Sequence, residues 1–594
     1  MNLSNRLNSI LKDYSTGKKA SAYKKFKKIY LQNNKDIKLR YNLAVMQQEL
    51  GLLDEAESNY ISLIKHSEDA KYKINLYNLY ITKGFYQNAL EIISSIQLKN
   101  LSLIQVNQDK AYILYLLKNY QNSINQCYKI LKIDDKNADT LNTLGLCFLH
   151  LQKYEEADKV LLKALNLDDK NIKILNSLGR LNHELRKSKK AEIYFNKAIT
   201  LYPNNFETLN NMAGFYLEEG KYRKAINFYK KAEKLRPNNS ILINNLAKTY
   251  ICIHDVEKAE KHSKKAISID QRNDEFKKTL SLILLKKYDF KNAWLSFDGR
   301  LGLSEFNEKN PTLKLVQNKI PRKNILNKNS KILVVREQGI GDEILYGTMY
   351  FDLLNEFSDL IIECDERLIP LFKNSFQSHK DKFVKLGTHS SNINKINNFD
   401  HIIYAGSLGK YFRNDINSFS QNPYLKSIEN YKDLELENIL NKAQEFKIGI
   451  SWKSFKNRYA SEKSLSLKDF ENIFEIKNSI IFNLQYGDIK EELNHFTKKR
   501  NYKIVTLENL DLFNNFSGLA NLLKNLDLFV TVSNSTAHLA SALGVRTILI
   551  KPENHASFHY WNYEDGKTPW YKSVNIISRE NLKDKSFVSK LFKL

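Results

Sequence analysis

Small residues recur at Ala157, Ala191, Ala225, Ala259 and Ala293, one every 34 residues. A period held that long excludes a single globular core and demands a stack of similar helical units, each burying its neighbour's apolar face. Other positions keep the register. Gly145, Gly179, Ala213 and Ala247 fall in the first helix of each unit, and Ala164, Ala198, Ala232 and Ala266 in the second. Backward extension reaches Ser123, Ala89, Ala56 after one shorter step, and Ala22, while Pro203 and Pro237 fall just past second helices. Small side chains let paired helices approach, and Leu144, Leu178, Phe195, Tyr216 and Tyr229 fill the space between units. The pattern predicts an α-solenoid over 1–305 with roughly eight to nine units, the first few degenerate. Such arrays present a concave groove to a peptide or protein; a spacer or dimerisation arm is the alternative.

The last unit, Tyr288–Leu301, changes character. It carries Trp294, Phe297 and Arg300, bulk expected to dock on the next domain. An Asn- and Lys-rich linker, 306–330, contains Pro311 and Pro321. Beyond it apolar β-branched runs alternate with helical patterns, the grammar of parallel α/β folding. Two halves are expected, 331–430 and 431–594.

In the first half the strand Lys331–Val335 runs into Gly339-Ile340-Gly341-Asp342 and a helix over Glu343–Asn355. Strand, glycine-rich loop and helix is a place for a phosphate or sugar. Ile344 stands where the dinucleotide fingerprint needs a third small residue, which disfavours a nicotinamide cofactor. Asp342 is placed either to deprotonate an acceptor hydroxyl or to stabilise the helix N-terminus. Further strands are read at 360–364, 400–404 and, less regularly, 382–386, and Ser407 follows the strand 400–404 in another strand-end loop.

In the second half a polar helical stretch, 431–446, precedes the strand 447–452. A basic loop follows with Lys453, Lys456, Arg458 and Lys463, able to neutralise a diphosphate leaving group or simply solvated. The strand 480–484 ends at Gln485. The helix 516–525 leads to the strand Leu526–Val532, then Ser533, Asn534, Ser535 and Thr536, the helix Ala537–Leu543 with Gly544 as its stop, and the strand Val545–Ile550. His538 lies in the first turn of that helix. The bland alternative is a capped βαβ unit with a packed histidine. The tail carries His559, Trp561, Trp570 and Tyr571, aromatics able to wall a sugar or base.

Net charge is +26, from 92 Lys and Arg against 66 Asp and Glu, but the cations are spread along the chain without dense blocks. Nucleic acid is therefore not an expected partner, whereas phosphorylated substrates or an anionic surface are compatible. Cys127, Cys147, Cys252 and Cys364 form no metal spacing and suit a reducing compartment. No apolar run approaches the roughly 20 residues of a membrane span, and the first residues lack a signal-peptide core, so a cytoplasmic protein is expected.

The repeats resemble tetratricopeptide repeats in period and small-residue pattern. The segments EQGIGDEILY (337–346), ISWKSFKNR (450–458), LANLLKNLDLFVTVSNSTAHLASALG (519–544) and TPWYKSV (568–574) resemble bacterial tetratricopeptide-repeat glycosyltransferases. That group is similar to the ADP-heptose heptosyltransferases and, more distantly, to O-GlcNAc transferase. The resemblance implies a GT-B-like pair of Rossmann-type domains, the first on the acceptor side and the second on the nucleotide-sugar side. It implies catalytic roles for Asp342, as general base, and His538. Donor contacts are implied for Gly339, Gly341, Lys453, Lys463, Gln485, Ser533, Asn534, Ser535 and Thr536. No metal and no cofactor beyond the nucleotide sugar are implied. Ser533-Asn534 replaces the Asp-Thr of many relatives, which leaves the sugar open. The acceptor would be a protein or surface glycan recruited by the array, or a surface glycolipid approached by the basic surface. A scaffold whose transferase half has lost turnover is the alternative.

Overall fold

The computed structural model describes residues 3–591 apart from 97–100, 313–315, 322–325, 429–436, 438, 440–444, 456–462, 501, 552–558 and 562–564. The expected helix over 431–446, and Lys456 and Arg458 of the basic loop, thus lie wholly or largely outside the described residues. The chain forms two compact units, Met1–Phe215 and Tyr216–Leu594. The division falls inside the repeat region and not at its end near 305. The last repeat belongs to the second unit and is bonded to the first sheet, as described below.

Among the described residues eighteen helices run in sequence from Leu3–Ser15 to Phe290–Phe297. The in-phase alanines Ala157, Ala191, Ala225, Ala259 and Ala293 are all fully buried. A methyl group at Gly145 would lie 2.5 Å from the Leu161 side chain, and one at Gly179 would lie 2.5 Å from the Phe195 ring. The small residues are therefore contact points between helices. Two further periodic features accompany them. Asn137, Asn171 and Asn239 cap first helices by accepting the N–H of Thr140, Lys173 and Leu242. The turn between the two helices of a unit holds a left-handed residue at Lys118, Gln152, Arg186, Gly220, His254 and Tyr288, again 34 residues apart.

The first sheet is parallel, in the order β3-β2-β1-β4, built from β1 (Ile332–Val335), β2 (Leu360–Cys364), β3 (Phe383–Lys385) and β4 (His401–Tyr404). The second is parallel too, in the order β10-β9-β8-β5-β6-β7. Its strands are β5 (Phe446–Ser451), β6 (Ser479–Asn483), β7 (Ile504–Val505), β8 (Leu528–Val532), β9 (Thr547–Ile550) and β10 (Val574–Ile577). Read from β7, the chain visits the second sheet as 3-2-1-4-5-6, the doubly wound order. The long helix expected over 343–355 is instead two, Ile340–Gly347 and Tyr350–Glu356. All five residues of β8 are buried, as its unbroken apolar run predicts. One apolar core holds Trp294 and Phe297 of the last repeat, Ile344 and Leu345 beside Asp342, and Ala537, Leu539 and Ala540 beside His538. That continuity seats the last repeat and both sheets on each other.

Candidate active site at the seam of the two sheets

Each sheet has one point where strand order reverses, between β1 and β4 in the first and between β5 and β8 in the second. Ligands of doubly wound folds sit in the crevice at such points. In the first sheet the protein fills the crevice itself. Arg300 of the last repeat donates to both carboxylate oxygens of Glu337, which follows β1, the shortest contact being 2.8 Å, and to Ser407 Oγ, which follows β4, at 2.9 Å. Glu337 also accepts the Gly406 N–H at 2.7 Å, and Asp298 joins Ser407 and Lys410 at 2.6 and 2.8 Å. Trp294 donates its indole N–H to the Arg413 carbonyl at 2.7 Å and packs where any side chain at Gly409 would stand. The docking expected of Trp294 and Arg300 is realised, and it occupies the first switch point.

The two helices named by sequence meet N-terminus to N-terminus. A methyl group at Gly341 would lie 3.1 Å from His538 Cδ2 and 3.4 Å from the Ser535 Cα, so this glycine sets how closely they approach. Gly339 caps the first helix, and Asp342 Oδ2 accepts its N–H at 3.2 Å. The helix-stabilising role considered for Asp342 is thus present. Its Oδ1 accepts the Tyr560 hydroxyl at 3.4 Å. The Tyr560 ring stands edge-on to His538 with centroids 4.9 Å apart, Trp561 packs at 4.8 Å, and the Tyr571 hydroxyl is 3.2 Å from His538 Nδ1. Asp342 and His538, from different sheets, therefore share one tyrosine. Burial, then the charges of Lys463 and His559, push the His538 imidazole down to about 3, so it is neutral near pH 7. Burial alone holds His559 at about 3. Burial pushes the Tyr560 and Tyr571 hydroxyls well above their ordinary value, and both stay protonated.

The remaining predicted residues surround the second switch point. Asn534 caps the helix Ser535–Ala542 by accepting the Ala537 N–H, and its Nδ2 donates to Ser451 Oγ at 2.8 Å, tying β8 to β5. Gln485 Oε1 accepts Ser451 Oγ and the N–H groups of Trp452 and Lys453 at 3.0, 2.9 and 2.6 Å, and its Nε2 donates to the Tyr486 carbonyl. These two side chains build the crevice floor. Lys453 pairs with Glu492. Lys463, Ser533 and Thr536 are buried, and Ser535 is half-buried at the helix start. Gly544, with φ +78°, closes the helix as expected; its N–H bonds Ser541 O at 3.0 Å.

The aromatic tail differs from its expected role. His559, Tyr560, Trp561, Trp570 and Tyr571 are all buried, covered by one another, by His538 and by Trp294. They form the packing behind His538, because large apolar rings next to a filled first crevice gain most by closing on each other. Tyr560 as a bridging residue was missed in sequence; its two aromatic neighbours hid it. Glu343, beside Asp342, was missed as well. It turns away from the seam, pairs with Arg336 at 2.7 Å, and is pushed up to about 7 by burial. Among the described residues no three His, Cys, Asp or Glu side chains converge to hold a metal, and no helix is long and apolar enough to cross a membrane. Within the first unit a polar cavity of about 430 Å³ is lined by Gln105, Gln108, Asp134, Asp139 and Asp168.

Residues 137–204, 194–227 and 216–283 match family models described as tetratricopeptide repeats, in agreement with the 34-residue geometry. Protein FlbA of Caulobacter vibrioides is 24% identical over 269 residues, 43% of this chain and 44% of its own length. The chain thus spans less than half of that relative. Among solved structures, a tetratricopeptide repeat protein from Parabacteroides merdae is 20% identical with TM-score 0.33, covering 42% of this chain and 98% of its own. The pilF protein of Pseudomonas aeruginosa is 19% identical with TM-score 0.29, covering 37% and 86%. YrrB, a TPR protein with an unusual peptide-binding site, is 23% identical with TM-score 0.23, covering 28% and 86%.

Proposed function

We propose that this tetratricopeptide-repeat protein is a glycosyltransferase of the GT-B kind. It would move a sugar from a nucleotide-sugar donor to a protein or surface-glycan acceptor recruited by the repeats. The observation that carries the reading is the meeting of Asp342 and His538, from separate sheets, on Tyr560 at the seam. Asp342 would accept the acceptor hydroxyl's proton as that oxygen attacks the anomeric carbon. The bond from that carbon to the diphosphate oxygen would break, and the diphosphate would leave towards the first turn of the His538 helix. The N–H groups of Ser535 and Thr536 lie in that turn, beyond the reach of intrahelical acceptors. Lys463, whose charge is felt at His538, adds positive potential there. His538, neutral, would act through hydrogen bonding and shape. Filling of the first crevice by Arg300 directs a nucleotide to the second.

A second reading, a scaffold without turnover, draws on the engagement of both Asp342 carboxylate oxygens and of Asn534 within the fold. The test is a screen of ADP-, GDP-, UDP-, CMP- and dTDP-linked sugars by thermal shift and slow donor hydrolysis, on wild type and on Asp342→Asn and His538→Ala. One donor that binds and is hydrolysed only by wild type supports the transferase. Binding without hydrolysis by any form supports the scaffold.

A further inference from the structure

The second switch point is flanked by aromatic side chains that, unlike the tail, are open to solvent. Phe455, after β5, is 43% exposed, and Phe513, before the helix Phe516–Lys524, is 55% exposed. Tyr486, after β6, lies between them, with ring centroids 5.5 Å from Phe455 and 5.8 Å from Phe513. The rings are held and not loose. The Tyr486 hydroxyl lies beside the Ser535 side chain and the Phe455 backbone. Gly487, at φ +92°, leaves the space that the Phe455 ring uses; a methyl group there would lie 2.5 Å from it. Arg367 reaches across from the first sheet, its guanidinium 5.1 Å from the Phe513 ring centroid and its Nη1 donating to the Phe513 carbonyl at 3.1 Å.

We propose that Phe455, Tyr486 and Phe513 form the stacking platform for the nucleobase of a nucleoside diphosphate, whose phosphates lie at the first turn of the His538 helix. The inference rests on the nucleotide-sugar reading and names the side chains that hold its base. Exposed aromatic faces cost solvation unless a planar partner covers them, and a base is planar. The chemistry around them is that of a nucleotide: a cation on one ring, and a helix N-terminus beside another at Ser535. The rings are tilted 47° and 51° to their neighbours, so a base would stack on one face and meet the others at an angle. Such contacts lack directed hydrogen bonds and leave the base's identity to other groups.

The test is calorimetric titration of the full chain with ADP, GDP and UDP, and separately with inorganic pyrophosphate, on wild type and on the double variant Phe455→Ala, Phe513→Ala. Both side chains are exposed enough for the fold to survive their loss. The nucleoside diphosphate bound by wild type is expected to bind the variant at least about tenfold more weakly, with pyrophosphate changed by less than about twofold. Nucleoside diphosphate binding within about twofold of wild type, or none to wild type, overturns the platform. Platform-dependent binding without turnover of any donor leaves the platform standing and removes the transferase. Asp342-dependent turnover with binding indifferent to both phenylalanines does the reverse.

Discussion

Two histidines sit where protons are least welcome. His538 and His559 are buried and depressed from 6.5 to about 3, so their folded forms refuse a proton that the unfolded chain accepts below pH 6.5. Stability is therefore complete above pH 6.5 and falls as pH drops through the window from 6.5 towards 3. At about 1.4 kcal/mol per unit for each ring, the two together cost roughly 4 kcal/mol by pH 5. Denaturant unfolding at pH 7.5 and 5.0 should show this loss, and His559→Phe should roughly halve it. An unchanged acid slope in that variant would contradict the assigned burial. The sequence placed His559 among rings read as a ligand wall, and nothing in it marked the residue as a buried, neutral histidine. His538 was legible because a helix start after a buried strand is where polar side chains face a crevice, but its neutrality depends on packing by distant residues.

The repeat element was the most legible part of the chain, since a period of 34 with small residues in phase admits one kind of packing. What the period did not display was the left-handed turn between helices, because Lys118, Gln152 and Arg186 occupy it where glycine would signal it. A side chain there carries strain that glycine does not. Gln152→Gly and Arg186→Gly are expected to stabilise the first unit, each by up to about 1 kcal/mol, read as a higher denaturation midpoint. Destabilisation by either would contradict the turn. Gly179→Ala is the opposite case. Its methyl would enter the Phe195 ring, and a loss of about 1–3 kcal/mol is expected. The strands β1, β2, β4, β5, β6, β8 and β9 followed from apolar runs bounded by turns. The short β7 and the β10 edge did not, one having two residues and the other lying within an aromatic segment.

At the scale of the whole molecule, the last repeat acts as part of the α/β body. The sequence predicted contact from Trp294 and Arg300 but could not show that Arg300 fills a switch point, since Glu337 and Ser407 are 37 and 107 residues away from it. A buried ion pair is strongly destabilising to break and mild to replace. Arg300→Ala should cost about 3–5 kcal/mol in the second unit, whereas Arg300→Met with Glu337→Leu should recover much of it. Equal losses in the single and double variants, measured by chemical denaturation, would contradict the role of the pair. The same geometry makes the first crevice structural, and the proposed function therefore turns on the second.

The proposed reaction moves a sugar at the seam with Asp342 as general base. The most direct measurement is nucleoside diphosphate release from the donor identified by binding, compared between wild type and Asp342→Asn at equal donor occupancy. Wild type is expected to release the diphosphate and the variant to lose about 100-fold or more, the scale of general-base contributions. Equal release by both would contradict it.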